Sequence, residues 1–395
     1  MGNNIYNNPY KDPEANEETV CVSATTETLG NEPETQAEAF PPQQYVPSAQ
    51  YNPMTNTEAV VEEVFHTDLQ VKAQKKELKR LRWTSCWLGA VLIVVFLLMK
   101  YWHIPFIYGA RALGFSDAQL FTLSKNAWFG DVVQIVVSSF CFTVPFIILT
   151  KIRGRKLSQV IPLGKPQEGT ALPFFMFGLA ACSLSNIFTS YSTQFLNNFL
   201  GSLGLKYELP SSDGEKGIIM FLLAVISTAV VPGLVEEFGC RGVMFGLLKE
   251  HSEGAAILVS ALIFGIMHGN FVQIPFAFIV GLALAVIRLK TGTLWIAIAV
   301  HFCNNFISVM FEHVLYALPQ VIQNIIYIAY LAFSIFFGIL GFLLIKKNTR
   351  KTLSLNANQN GIADKKIITT ALVSPTVIIA LVAYVIIAFT YITIA

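Results

Sequence analysis

The sequence predicts an all-α fold: a polytopic membrane bundle of about eight to nine transmembrane helices with a disordered N-terminal tail. Three observations support this prediction. Of the 395 residues, 54% are hydrophobic and only 13% are charged. The mean hydropathy of +0.56 is above that of ordinary soluble domains. The apolar residues form long runs, and many of the acidic residues precede the first of these runs.

Residues 1–70 form the predicted acidic tail. Up to Asp68 the chain has twelve acidic residues and one basic residue, Lys11, among many Asn, Gln, Pro and Thr residues. A segment with so little apolar surface cannot offset the entropy that it would lose on ordering, so we predict that it is disordered and cytoplasmic. Residues 71–395 are assigned to a single membrane domain.

Nine apolar segments are candidate membrane spans. A helix needs about 20 residues to cross the hydrocarbon core of a bilayer, which is roughly 30 Å thick. In chain order the segments cover about residues 84–101, 132–150, 170–199, 217–249, 254–270, 272–288, 292–312, 319–345 and 367–393. The fourth differs from the others because charged residues interrupt it.

The distribution of Lys and Arg predicts the orientation. If the N-terminus is cytoplasmic, 21 of these residues lie on inner segments and five on outer segments, with Lys11 in the tail. Cytoplasmic loops of membrane proteins carry such an excess of basic residues. We therefore expect a multi-pass membrane protein with a cytoplasmic N-terminus.

The fourth span contains Glu236, Glu237 and Arg241. Ionisable groups inside a span are disfavoured by roughly 2.5–3.5 kcal/mol on insertion scales, and they usually face a partner or a wet cavity. Glu237 and Arg241 have the i,i+4 spacing of a helical ion pair, whereas Glu236 points about 100° away from Glu237. Pro232 and Gly233 interrupt the helix just upstream, which opens space for water. We predict a structural ion pair beside a free carboxylate, Glu236.

The fifth span contributes His268. Glu236 and His268 each lie sixteen residues from residue 252, in the turn between the two spans. Antiparallel helices therefore bring the two side chains to a similar depth. Phe264 lies one turn before His268 and can pack beside its imidazole. A lone histidine in a span is more often a packing residue, but a carboxylate at the same depth favours a functional role.

The seventh span contains His301 and Asn305. Their i,i+4 spacing places both on one helix face, where two donors form a plausible oxyanion site. The alternative is that both residues hydrogen-bond to neighbouring helices. Asn304 competes with Asn305 but faces about 100° away from it. A carboxylate near an imidazole and two such donors match the requirements of amide hydrolysis within a membrane.

Three short patterns follow one another in these membrane segments. EEFGCR at 236–241 matches EExxxR, FGIMH at 264–268 matches FxxxH, and HFCNN at 301–305 matches HxxxN. Each is weak alone, but the ordered set resembles the CPBP family of intramembrane proteases, which includes CAAX-processing and bacteriocin-processing enzymes and the eukaryotic Ras-converting enzyme. The resemblance covers about residues 170–315.

The resemblance implies a role for each of these residues. Glu236 would activate water, His268 would help to hold that water, His301 and Asn305 would stabilise the oxyanion, and Glu237 and Arg241 would support the site, together with Phe264. The family has been described both as metalloproteases and as glutamate-dependent proteases. Because no HExxH helix is present, we expect a metal-free glutamate mechanism without a cofactor, and zinc held by Glu and His is the alternative.

Other functions stay open at this stage. Cys240 with a histidine is a candidate nucleophile, although a small packing residue is the simpler interpretation. The chain can also be a non-catalytic scaffold or a bacteriocin-immunity protein that binds a partner peptide. A proton-coupled transporter also uses intramembrane Glu and His, but we see no inverted repeat. The expected partners are a peptide or membrane-protein substrate and the lipid bilayer, with no nucleic acid, and the expected location is a bacterial plasma membrane.

Overall fold

The computed structural model describes residues 53–209, 217–348, 355–356 and 361–394. Most of the predicted acidic tail, residues 1–52, lies outside the described residues. The first helix begins at Pro53. Residues 53–70, which were predicted to belong to the disordered tail, are therefore the start of this helix. The chain from Ala59 onward forms one compact unit.

The described residues contain thirteen helices, a short 3₁₀ turn and two strands. The helices are α1 (Pro53–Tyr101), α2 (His103–Ala112), α3 (Asp117–Lys125), α4 (Ala127–Ile152), α5 (Leu157–Val160), α6 (Ala171–Gly201), α7 (Ile218–Lys249), α8 (Glu253–Met267), α9 (Gln273–Thr291), α10 (Trp295–His313), α11 (Gln320–Asn348), α12 (Asp364–Leu372) and α13 (Pro375–Phe389). The 3₁₀ turn is Leu315–Ala317, and the strands are β1 (Leu205–Tyr207) and β2 (Ile392–Ile394).

The all-α polytopic fold is confirmed. Among the described residues, seven helices are long and apolar enough to cross a membrane: α1, α4, α6, α7, α9, α10 and α11. Helix α8 is apolar but has only 15 residues, which corresponds to about 22 Å of helix. The segment predicted as a single span at 367–393 is instead bent by 68° between α12 and α13. Pro375 starts α13, because proline fits the first turn of a helix but cannot continue the preceding one.

The helices pack closely where small residues meet. Helix α6 lies against α9, α10 and α11, α8 lies along α9, and α7 contacts both α4 and α10. A Cβ atom on Gly338 of α11 would lie 2.4 Å from the Cβ of Ala180 in α6. A Cβ on Gly178 would lie 2.7 Å from side-chain atoms of Ile287 and Val300. Small residues at such contacts allow helix backbones to approach each other in membranes.

The two strands were not predicted. They pair antiparallel, with Lys206 opposite Thr393, so the end of the predicted ninth span is a strand and not part of a helix. The hydroxyl of Tyr207 in β1 accepts a hydrogen bond from the backbone N–H of Phe271 at 2.8 Å. Phe271 lies three residues after His268, so the strand pair is tied to the segment that joins α8 to α9.

Candidate active site

A cavity of about 360 Å³ lies among α4, α6, α7, α8, α9 and α10. All four residues expected to be catalytic line it, together with the supporting residue Phe264. The other lining residues are Gln134, Asn186, Thr189, Thr228, Pro232, Gln273, Phe276, Ala277, Val280, Asn304 and Ser308. The structure thus brings Glu236 of α7, His268 at the C-terminal end of α8, and His301 and Asn305 of α10 together.

Helix α7 is irregular on both sides of Pro232. It contains two π-helical segments, Val225–Val230 and Phe238–Met244. Proline has no amide hydrogen, so Pro232 cannot donate to the carbonyl of Thr228 four residues earlier. The side-chain amide of Asn305 donates to that carbonyl instead, at 2.8 Å. The irregularity of α7 therefore supplies the hydrogen bond that anchors Asn305 at the cavity.

Glu236 and His301 approach each other without a direct hydrogen bond. The distance from Glu236 Oε2 to His301 Nε2 is 3.9 Å, and the two side chains are 19% and 7% exposed, respectively. This distance is too long for a hydrogen bond. It is short enough for one water molecule beside the pair to contact both atoms.

Glu237 lies behind the cavity in a fully buried cluster. Arg241 Nη1 donates to Glu237 Oε1 at 2.8 Å, and both side chains are 0% exposed. His301 Nδ1 lies 2.9 Å from the same carboxylate oxygen. The guanidinium of Arg241 also lies over the ring of Phe264, 3.9 Å from its centroid, which is a favourable cation–π distance. The predicted Glu237–Arg241 pair is present, and its further contact with His301 was not predicted.

The contact with Glu237 sets the hydrogen bonding of His301. An ionised carboxylate only accepts hydrogen bonds, so Nδ1 of His301 carries the donated hydrogen. Nε2, the nitrogen nearer Glu236, can then donate only when the ring holds both protons. The adjacent carboxylates of α7 thus approach opposite nitrogens of one imidazole.

His268 is fixed by its own helix. Its Nδ1 lies 2.8 Å from the carbonyl oxygen of Phe264. Because a carbonyl oxygen only accepts, Nδ1 donates, and Nε2 of the neutral ring is left as an acceptor. The ring of Phe264 packs edge-to-face against His268 at 5.0 Å and against His301 at 6.0 Å. Phe264 therefore contacts both imidazoles and the guanidinium of Arg241.

Asn304 and Asn305 form a connected pair. Asn304 Nδ2 donates to Asn305 Oδ1 at 3.0 Å, and both residues line the cavity. Asn304, which was expected to face about 100° away from Asn305, therefore reaches the same cavity, since a side chain spans the difference in direction. Asn305 Nδ2 carries two hydrogens. One bonds to the Thr228 carbonyl, which leaves the other for a ligand.

The donor set does not form a zinc site of the usual kind. Such a site needs three or four closely placed ligands. Within the described ranges, no group of three or more His, Cys, Asp or Glu side chains is arranged to hold a metal ion. Nδ1 of each histidine donates to a protein acceptor, which leaves Nε2 as the remaining nitrogen of each ring.

Uncharged polar residues of the site were missed in the sequence. Gln134 of α4, Asn186 of α6 and Gln273 of α9 line the cavity. The signal that indicates Gln134 and Asn186 is an amide side chain inside an apolar span. Cys240 is fully buried and is not among the cavity-lining residues, which favours its interpretation as a packing residue.

Comparisons with known proteins agree with the motifs. Residues 218–307 match the sequence model of the Type II CAAX prenyl endopeptidase Rce1-like family. The chain is 23% identical over 239 residues to the membrane-embedded CAAX protease MroQ of Staphylococcus aureus (strain USA300), which covers 58% of this chain and 90% of that protein. No solved structure matches the chain.

The family match covers the part of α7 that carries both glutamates, all of α8 and α9, and α10 as far as Asn305. It therefore includes each of the three ordered patterns and every cavity-lining residue to which the sequence assigned a role. Both comparisons therefore support the similarity of this chain, over residues 218–307, to the CPBP family of membrane proteases.

Proposed function

We propose that the chain is an intramembrane endopeptidase in which Glu236 activates water to hydrolyse peptide bonds of membrane-associated proteins or peptides. One observation carries this proposal: a half-buried carboxylate, two imidazoles and a side-chain amide line the same cavity. A general base, a position for water and donors for an oxyanion are the groups that amide hydrolysis requires.

In the first step, Glu236 takes a proton from a water molecule that lies beside His301 and His268. The water oxygen attacks the carbonyl carbon of the substrate, and the carbonyl electrons move onto oxygen. Nε2 of His268, the acceptor nitrogen of a neutral ring, receives a hydrogen bond from the same water. His268 thereby orients the water, while the carboxylate removes its proton.

The tetrahedral oxyanion then accepts hydrogen bonds from Asn305 and from His301. The remaining N–H of Asn305 is aimed by its two bonds, to Thr228 and Asn304. Nε2 of His301 donates when the ring holds both protons, with Glu237 accepting from Nδ1. Collapse of the intermediate breaks the C–N bond, and protonated Glu236 returns the proton to the leaving nitrogen. The products are a carboxyl terminus and an amine.

Glu237, Arg241 and Phe264 act by positioning. Glu237 holds the ring of His301 and is itself held by Arg241, and Phe264 packs on both imidazoles. The proposed setting is a bacterial plasma membrane with the N-terminus in the cytoplasm. The excess of Lys and Arg on the inner segments supports that orientation.

The test is the substitution Glu236→Gln in purified protein reconstituted in lipid nanodiscs. Cleavage of a peptide library is measured by mass spectrometry, with Glu208→Gln as a control because Glu208 pairs with Lys206 and is 55% exposed. Loss of the general base should lower the cleavage rate by about 10²–10⁴-fold, while Glu208→Gln retains the native rate. A Glu236→Gln protein that cleaves within tenfold of the native rate refutes the proposal, and it would favour a binding or scaffolding role.

A further inference from the structure

A second cavity, of about 540 Å³, lies between α2, α3 and the start of α4. Its walls include the aromatic side chains of Trp102, Phe106, Phe121 and Phe129. Arg111 and Asp117, also in its lining, form an ion pair at 2.8 Å and are 50% and 76% exposed, so they lie at the rim. Apolar walls with a few polar groups, and a volume between roughly 300 and 1,000 Å³, are typical of ligand sites.

This aromatic cavity adjoins the candidate active site. Gln134 of α4 lines both cavities. Gly130 and Val133 also line the aromatic cavity, and their spacing of i, i+3 and i+4 with Gln134 places all three on one face of α4. One helix face therefore runs from the aromatic walls to the cavity that contains Glu236.

The position of α4 relative to the catalytic helix is fixed. Ser227 Oγ of α7 donates to Asp131 Oδ1 of α4 at 2.6 Å, and the Ser227 side chain is buried. Ser227 precedes Thr228, whose carbonyl anchors Asn305. A substrate group held against Gly130 is therefore held in a defined register with the reacting groups.

We infer that the aromatic cavity is a specificity subsite that holds a large apolar side chain of the substrate peptide next to the scissile bond. This inference rests on the proposed endopeptidase function. The occupant is a peptide side chain because Gln134 lines both this cavity and the site at which a peptide bond is cleaved. Aromatic walls favour Phe, Leu, Ile or Met over Ala, Gly or Ser, since burial of apolar area and ring contacts stabilise the larger groups.

Gly130 offers a direct way to fill this subsite. A Cβ at Gly130 would meet no atom within 4 Å, so Gly130→Leu adds a side chain to the cavity without a clash with the first added atom. Gly109 in α2 is a matched control, because its Cβ would also meet nothing within 4 Å and it does not line the cavity. Both substitutions replace a helical glycine with leucine, so their effects on helix propensity are alike.

The experiment compares the native protein, Gly130→Leu and Gly109→Leu in nanodiscs. A diverse peptide library is digested, and residue preferences on both sides of each cleaved bond are read by mass spectrometry. The native protein should prefer large apolar residues at one flanking position. In Gly130→Leu the ratio of cleavage rates for Phe over Ala at that position should fall at least about tenfold, because one methylene in an apolar pocket already changes selection by 10-fold or more. Gly109→Leu should retain the native profile.

Two results overturn the inference while leaving the proposed function intact. The first is a native profile in Gly130→Leu, and the second is an equal change in both variants. A native protein that cleaves no peptide in the library, under conditions in which it is folded, counts against the proposed function itself, and the subsite inference falls with it.

Discussion

Replacing Arg241 with methionine should strongly destabilise the membrane domain. The substitution keeps an apolar stem but removes the guanidinium, which bonds to Glu237 at 2.8 Å and lies on Phe264. The Glu237 carboxylate would then be fully buried without a cationic side-chain partner, apart from the imidazole of His301. Removing one partner of a buried ion pair costs about 3–5 kcal/mol. That is a large part of the total free energy of unfolding of a typical domain, about 5–15 kcal/mol.

The pair offers a stricter test through a second substitution. Nε and Nη2 of Arg241 and Oε2 of Glu237 have no hydrogen-bond partner among the described residues, so the intact pair is incompletely satisfied. Glu237→Gln removes the buried charge and keeps an acceptor for His301. In the double variant with Arg241→Met, no unpaired charge remains, and most of the lost stability should return.

The assay is reversible unfolding in mixed micelles by titration with a denaturing detergent, followed by tryptophan fluorescence. The matched control is Arg111→Met, which breaks the contact between Arg111 and Asp117. This contact has the same length, 2.8 Å, but the Arg111 side chain is half-exposed and that of Asp117 is exposed. Exposed pairs contribute about 0–1 kcal/mol. The reasoning is refuted if Arg241→Met costs no more than this control, or if the two substitutions at 237 and 241 are additive rather than compensating.

Two further predictions concern packing and metal dependence. Gly89→Ala should destabilise the domain by about 1–3 kcal/mol in the same unfolding assay. Its Cβ would lie 2.3 Å from the backbone nitrogen of Val377, so the helices would have to shift. Gly109→Ala is the control, and equal stability of the two variants contradicts the described contact. Treatment with a strong zinc chelator should leave peptide cleavage unchanged, since the described residues offer no three-ligand site. Activity that disappears on chelation and returns with added zinc would replace the glutamate mechanism with a metal-dependent one.

The helical framework could be predicted because its signals are local. Runs of about 20 apolar residues mark spans regardless of their neighbours, and each of the nine predicted segments contains a helix. The pairing of β1 with β2 could not be predicted in this way. Each strand has three residues, and they are separated by most of the membrane domain. Pro375 is the visible signal for the break between α12 and α13, and the prediction of one span at 367–393 from the length of the apolar run did not include it.

The site was predictable where one helix or one turn fixes the geometry. The i,i+4 pair of Glu237 and Arg241 and the common depth of Glu236 and His268 depend only on helix periodicity and on the position of a hairpin turn. The bond from Glu237 to His301 depends on how α10 is rotated against α7. No short-range sequence pattern specifies that rotation, so only one partner, Arg241, was predicted for the buried carboxylate of Glu237. In the structure this carboxylate has two partners, Arg241 and His301.

Pro232 shows how a local defect and a distant residue become one functional element. Pro232 has no amide hydrogen, and the sequence therefore predicts a kink in α7 that opens space for water. In the structure, the carbonyl of Thr228, to which Pro232 cannot donate, accepts a hydrogen bond from the side-chain amide of Asn305. Gly233 also allows α10 to approach so closely that a Cβ there would lie 3.4 Å from the backbone nitrogen of Phe302. Helix α7 therefore does more than carry Glu236: its irregular turn also binds and orients the amide proposed to stabilise the oxyanion. The proposed base and the carbonyl that anchors this donor are eight residues apart on the same helix, about two turns, so α7 relates the positions of both groups.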